Sequence, residues 1–222
     1  MRENLTHAIE DYLKIIYELT LCESRATTNQ IAERMGVKPA SVTGMLKRLS
    51  ANDPPLLTYH KHHGVELTPA GEKVALEIIR HHRLLELFLH ETLGYPWDEV
   101  HNEADRLEHV ISEDFEERIA RALGDPLRDP HGDPIPSRDL RIPPQSAVSL
   151  DGLRTGQEAA VQRVADADPE LLRYLESVGL VPQAHLKVIN YSPFDDNLRL
   201  QVGEKILVLG PRVTRQIFVE LL

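Results

Sequence analysis

Between positions 101 and 109 the chain reads His101-Asn102-Glu103-Ala104-Asp105-Arg106-Leu107-Glu108-His109. Taken as a helix, the stretch places His101, Asp105, Glu108 and His109 at i, i+4, i+7 and i+8, on one stripe. Carboxylates on an inward face are costly unless something cationic meets them. His82 and Glu86 repeat the pattern at i, i+4 on an earlier stretch. A chain with two such stripes must pack its helices around positive charge, and a divalent metal is the simplest supplier. A solvated helix face is the plainer account of Asp105, Glu108 or His109 alone, and a satisfied surface histidine of His101. The joint pattern is what points to a metal.

Around that centre the chain divides. Residues 5–21 keep helical spacing through Leu5, Ile9, Leu13, Ile16 and Leu19, with Asp11 off that stripe and Lys14 near it. Thr27 or Thr28 caps a second helix carrying Ile31, Ala32 and Met35 inward, and Gly36 stops it. Lys38-Pro39 opens a third, with Val42, Met45, Leu46 and Leu49 inward and Ser41, Thr43, Lys47 and Arg48 outward. Two short helices joined through a glycine, the second basic on its free face, form a helix-turn-helix pattern. Two short strands follow, 56–61 and 65–68, turning through His62-His63-Gly64 as a wing. Thr68-Pro69 begins a long helix to about Thr92. Its Leu84, Leu85, Leu87, Phe88, Leu89 and Leu93 make it apolar on more than one side, which predicts a subunit interface.

The stripe of His101 is predicted on a helix from about Trp97 to Val110, and Ser112 caps another that ends at Gly124. Residues 125–146 are rich in proline, aspartate and glycine and read as an ordered loop followed by a linker. From Ser149 onward come short β-type runs at 159–164, 185–190, 198–202, 205–209 and 215–220, with one helix at 168–179. Five short strands in so few residues suggest a small barrel of SH3-like shape. The expected fold is therefore mainly α with a small β domain. Its parts are a winged helix-turn-helix over residues 1–72, a helical metal-binding and dimerisation domain over 73–140, and an SH3-like barrel over 149–222.

Charge separates the parts. The net charge of the 222 residues is −10, which alone argues against a nucleic-acid partner. Residues 25–65, however, set Arg25, Arg34, Lys38, Lys47, Arg48 and Lys61 against only Glu33 and Asp53, a local +4. Double-stranded DNA is the expected partner. The third helix would lie in a major groove, with Lys47 and Arg48 near phosphates and Ser41 and Thr43 near base edges; Thr28, Lys38, Pro39 and the wing residue Lys61 complete the candidate interface. A helix-turn-helix used only for protein contacts is the alternative. The single cysteine, Cys22, permits no internal disulfide. No run is long enough to cross a bilayer and the N-terminus has no apolar core of a signal peptide, so a cytoplasmic chain with no membrane partner is expected.

Oxygen and imidazole donors without sulfur suit a hard to borderline ion such as Mn²⁺ or Fe²⁺. A di-iron oxidase would want Glu-x-x-His, but Arg106 stands three before His109. No glycine-rich phosphate loop or evident nucleophile is present, so no enzyme is expected. A metal-dependent hydrolase, or a winged-helix regulator of a non-metal ligand, is the alternative.

The chain resembles the diphtheria toxin repressor family of metal-dependent transcriptional regulators, in particular its manganese-sensing branch. The likeness runs through Glu10-Asp11-Tyr12-Leu13, Ile16-Tyr17-Glu18-Leu19, Ile31-Ala32-Glu33-Arg34, Ser41-Val42-Thr43, Leu67-Thr68-Pro69-Ala70-Gly71, His82-Arg83-Leu84-Leu85-Glu86, Val100-His101-Asn102-Glu103-Ala104, Glu108-His109-Val110 and Gly132-Asp133-Pro134-Ile135-Pro136. The resemblance implies a homodimer that binds operator DNA when loaded with Mn²⁺ or Fe²⁺, and represses metal-uptake genes. It implies a primary metal site at Asp11, Asp105, Glu108 and His109, with His82 added in the manganese branch. Iron-type members carry methionine at Asp11 and cysteine at Asp105, whereas manganese members usually carry glutamate at Asp105. Lys14 stands where some short manganese regulators have glutamate. An ancillary site would use Glu86 with Asp129, His131 and Asp166 (or Asp168) in the manganese pattern, or His82, Glu86 and His101 in the iron pattern.

Overall fold

The computed structural model describes residues 5–60, 63–143 and 147–222. Lys61 and His62 of the expected wing lie outside the described residues. The chain separates into two units. The first holds residues up to His81 together with Glu108–Val110 and Arg138–Arg141; the second holds the remainder.

In the first unit, α1 (His7–Cys22) buries Ile9, Tyr12, Leu13 and Ile16. These pack with Ile31 of α2 (Thr28–Met35) and with Val42, Leu46 and Leu49 of α3 (Pro39–Ser50). Thr27, not Thr28, caps α2: its hydroxyl accepts from Gln30 N while the Gln30 side chain accepts from Thr27 N. Gly36 ends α2 at φ 65°, a conformation open to glycine at little cost. Pro39 sits in the first turn of α3, where its missing N–H costs nothing. The wing strands β1 (Leu57–His60) and β2 (Gly64–Leu67) pair antiparallel, with Leu57 opposite Leu67.

Helix α4 (Pro69–Glu91) runs on into the second unit. There its Leu84, Leu85 and Leu89 are buried with Val100 and Ala104 of α5 (Val100–Leu107), Ile119 and Ala120 of α6 (Glu113–Ala122), and Ile135. Leu84, Leu85 and Leu89 are thus covered by the chain's own core, while Leu87 and Phe88 are half-buried and Leu93, just past the helix, is exposed.

The expected helix 97–110 is also shorter. It ends at Leu107, and Glu108, His109 and Val110 form a turn belonging to the first unit. Two local features accompany the break: in the first unit His81 Nδ1 donates to the backbone carbonyl of Glu108 at 3.0 Å, and in the second Ser112 begins α6 by accepting from Phe115 N. The stripe of four ligand types is therefore broken in the middle.

The β domain also lies in the second unit. It comprises β3 (Val148–Ser149), β4 (Glu158–Val164), α7 (Pro169–Val178), β5 (His185–Tyr191), β6 (Leu198–Val202), β7 (Lys205–Leu209), α8 (Pro211–Thr214) and β8 (Ile217–Leu221). The strands form one antiparallel sheet in the order β3-β8-β4-β5-β6-β7, with register shifts at Val161/Arg163 and Val188/Asn190. Such irregularities bend strands and help a small sheet wrap around its core. That core includes Val161, Leu172, Val188, Leu200 and Val219, together with Trp97 from the helical side. One strand more than the expected five is present, because β3 has only two residues and no periodicity to read.

Candidate metal centres

Each unit gathers its own set of donors. In the first, Asp11 comes from α1, and Glu108 and His109 from the turn after α5; one donor atom of each lies within 4.8 Å of the others. His109 is the hub. Its Nε2 is 2.9 Å from Asp11 Oδ1 and 3.5 Å from Glu108 Oε1, and its Nδ1 is 2.7 Å from Glu10 Oε2. The ring of His7 stacks on it at 4.7 Å. Burial opposes charging His109, but hydrogen bonds to Asp11 and Glu10 and the nearby Glu108 carboxylate raise its pKa to about 9. Glu108 is itself buried and is gripped by Lys14, whose Nζ lies 3.1 and 2.8 Å from its two oxygens.

The sequence reading missed Glu10, although a signal existed. Glu10 precedes Leu13 by three residues, so it sits on the inward face of α1, where a carboxylate needs a partner. His81 was missed in the same way: it shares the stripe of Val74, Ile78 and Leu85.

The second unit holds two overlapping clusters around Glu86, which is completely buried. On one side, His82 Nε2 and His101 Nδ1 lie 3.0 and 3.1 Å from Glu86 Oε1 and 3.1 Å from each other. Asp105 faces the same two rings, 3.3 Å from His82 Nδ1 and 3.7 Å from His101 Nε2. On the other side, Glu86 Oε2, His131 and Asp166 converge within 4.8 Å. Here Glu86 Oε2 and His131 Nδ1 are both buried without a hydrogen-bond partner, and they face each other at 3.9 Å. That separation is too long for a hydrogen bond and suits two ligands of one cation.

The tautomer of His131 is set from behind. Its Nε2 donates to the Trp97 carbonyl at 2.7 Å, so once the ring gives up its second proton it turns a lone pair at Nδ1 toward Glu86. Burial opposes charge on His131, yet the carboxylates of Glu86, Asp129 and Asp166 raise its pKa to about 9. Burial likewise works against the charge of Glu86, and the surrounding imidazoles still hold its pKa well below the usual value. Two buried polar atoms without hydrogen bonds, inside a set of oxygen and imidazole ligands, fit a hard to borderline divalent ion.

The remaining candidates are placed as follows. Asp168 caps α7, its Oδ1 accepting from Glu170 N and Leu171 N, which leaves Asp166 as the cluster member. Asp129 is buried beside His131, but its Oδ1 accepts from His131 N and Asp133 N and so shapes the loop. Burial, with Glu86 and Asp133 nearby, pushes its pKa well above the usual range. Gly132 completes this loop at φ 92°, where a Cβ would collide with the Gln162 carbonyl.

On the helix-turn-helix, Lys38, Pro39, Ser41, Lys47 and Arg48 are exposed, and Thr28 and Thr43 are half-buried. Thr43 turns its hydroxyl back onto the Pro39 carbonyl at 3.0 Å. Among the described residues no helix is long and apolar enough to cross a membrane.

Residues 4–65 match the model of the iron dependent repressor N-terminal DNA binding domain. Residues 68–137 match the metal binding and dimerisation domain of the same repressors, and residues 148–221 the FeoA domain. The iron-dependent repressor IdeR of Mycobacterium leprae is 33% identical over 98% of both chains. The diphtheria toxin repressor of Corynebacterium jeikeium is 32% identical over 75% of this chain and 70% of its own. Among solved structures, a manganese-dependent transcriptional repressor in complex with manganese superposes with TM-score 0.88 at 37% identity, over 96% of this chain and 100% of that one. ScaR with bound Zn²⁺ superposes at 0.81 and 36% identity, over 96% of this chain and 98% of its own. A basic helix-turn-helix, two sets of metal donors, an SH3-like β domain and relatedness along the whole length lead to one conclusion: the chain belongs to the iron-dependent (diphtheria toxin) repressor family of metal-dependent transcriptional repressors.

Proposed function

We propose that this repressor responds to Mn²⁺, that it binds pseudo-palindromic operator DNA as a homodimer, and that Asp11, Glu108 and His109 are central to its switch. In the second unit Glu86, with His82, His101 and Asp105 on one side and His131 and Asp166 on the other, forms an ancillary set. The single observation carrying the choice of metal is that all the clustered donors are carboxylate oxygens and imidazole nitrogens, with no sulfur among them. The iron-dependent names of the curated relatives favour a second reading, Fe²⁺. The proposed domains are residues 1–72, 73–140 and 149–222.

The residues supply a route from site to DNA. Asp11 lies on α1, and α1 shares one core with the recognition helix through Ile9, Leu13, Ile16, Val42 and Leu46. Fixing Asp11 against Glu108 and His109 therefore fixes the helix on which the DNA-reading layer is built. A bound divalent cation would contribute the charge that makes the Asp11 and Glu108 carboxylates compatible. The arrangement favoured by the cation then gains population over looser ones. Lys47 and Arg48, exposed on α3, meet phosphates, and two recognition helices in a dimer read half-sites roughly 34 Å apart.

The test is a DNA-binding titration of chelator-stripped protein with Mn²⁺, Fe²⁺ and Zn²⁺, on a duplex selected from a random pool in the presence of Mn²⁺. DNA binding induced by Mn²⁺, and lost in His109→Ala while the fold is kept, is the expected result; Zn²⁺, which binds such ligands more tightly, should induce less DNA binding when saturating. Unchanged Mn²⁺-dependent binding in His109→Ala overturns the site.

A further inference from the structure

The cluster of the first unit already contains a cation. Lys14 stands three residues after Asp11 on α1, and its ammonium lies 2.8 and 3.1 Å from the two carboxylate oxygens of Glu108. The pair is well shielded from water: the Lys14 side chain is 12% exposed and that of Glu108 1%. Both oxygens of Glu108 are thus engaged by an ammonium tethered to the helix that carries Asp11. Glu10 and Asp11 add further negative charge at His109, so the lysine balances a site that would otherwise hold an excess of carboxylate. A divalent ion reaching the same carboxylate meets this resident charge at short range, and away from bulk water such repulsion is strong.

We propose that Lys14 is a built-in competitor for the metal, holding Glu108 in the metal-free chain and so raising the metal concentration at which the cluster fills. The proposal rests on the reading that Asp11, Glu108 and His109 hold the metal. Lys14 then has two linked effects of opposite sign. It stabilises the metal-free fold by pairing a buried carboxylate, and it weakens metal binding because the ammonium must withdraw, or be endured, when the ion arrives. Its place three residues from Asp11 ties that withdrawal to the same helix.

The experiment measures Mn²⁺ binding to the full chain by calorimetry and by electron paramagnetic resonance of unbound Mn²⁺, alongside thermal melting in chelator. The variants are Lys14→Met, Lys14→Gln, Lys14→Arg and His109→Ala. Lys14→Met and Lys14→Gln are expected to bind Mn²⁺ at least about tenfold more tightly, and to melt at lower temperature in chelator. Lys14→Arg, which keeps the charge, stays near the parent in both. If Lys14→Met does not fold without metal, Lys14→Gln, which retains a donor for Glu108, carries the measurement. Parent-like Mn²⁺ affinity in the neutral variants overturns the proposal, as does equal tightening in Lys14→Arg. If His109→Ala leaves the parent titration unchanged, the underlying site assignment fails instead, and the two failures are told apart.

Discussion

The two donor clusters solve the same electrostatic problem in different ways. In the first unit's cluster the charged groups are paired with one another: Lys14 holds Glu108, and His109 bridges Glu10 and Asp11. In the second, Glu86 has imidazoles around one oxygen, while its other oxygen and His131 Nδ1 face each other at 3.9 Å without a hydrogen bond. The first cluster is a self-neutralised site that a metal must open. The second is a partly unsatisfied site that a metal would complete. The first is therefore suited to being a switch with a threshold, and the second to being a brace that gains order when filled. Buried unsatisfied groups are costly, so a structure keeps them where a ligand supplies the missing partner.

The largest test of that contrast is Glu86→Gln. Glu86 is the fully buried carboxylate shared by His82, His101 and His131, and removing its charge leaves only the more exposed Asp105 and Asp166 to offset their imidazolium character. The metal-free chain should lose about 3–5 kcal/mol, as when one member of a buried pair is deleted, and stabilisation by Mn²⁺ through this cluster should vanish. Urea unfolding with and without chelator reads both. A loss below about 1 kcal/mol, in the range of an exposed pair, would show that charge does not hold this cluster together.

A smaller effect sharpens the other side. Glu10 Oε2 accepts a hydrogen bond from His109 Nδ1 at 2.7 Å and so orients the ring whose Nε2 faces Asp11. Glu10→Gln should weaken Mn²⁺ binding at the first cluster by about 10–100-fold, the usual effect of losing an orienting carboxylate behind a histidine ligand. Binding that depends on His131 should be unaltered. Calorimetric titration of Glu10→Gln in a His131→Ala background isolates the first cluster; an unchanged affinity there would remove Glu10 from the site.

What was legible in the sequence followed from local rules. The Thr27/Gln30 capping box, the Gly36 stop, Pro39 in the first turn and the Ser112 cap are written within a few residues of where they act. The β runs were visible because alternation survives in short strands, as in β6, where Leu198, Leu200 and Val202 are buried. What failed needed partners distant in sequence. The end of α5 at Leu107 involves His81 reaching the Glu108 carbonyl, and β3 exists only by pairing with β8. The choice between Asp166 and Asp168 turned on which carboxylate capped α7. Lys14 was noted as a departure from a family pattern, but its grip on Glu108 joins residues 94 positions apart, which no periodicity can announce.

The finest comparison is in protons. His109 and His131 both have pKa values raised from 6.5 to about 9, so both rings carry a proton beyond the neutral form at pH 7 in the metal-free chain. Because the folded value lies above the unfolded one, the stability these rings contribute is complete below about 6.5 and is lost as pH rises through about 9. Metal binding runs the other way, since a ligand nitrogen must give up its proton. Apparent Mn²⁺ affinity at each cluster should therefore rise across that window, by up to about tenfold per pH unit for each displaced proton. Calorimetry in two buffers of different ionisation enthalpy should show about one proton released per ion at each cluster. His109→Ala should abolish the release of the first cluster alone and His131→Ala that of the second. If either single substitution removed both releases, the clusters would be one coupled centre rather than a switch and a brace.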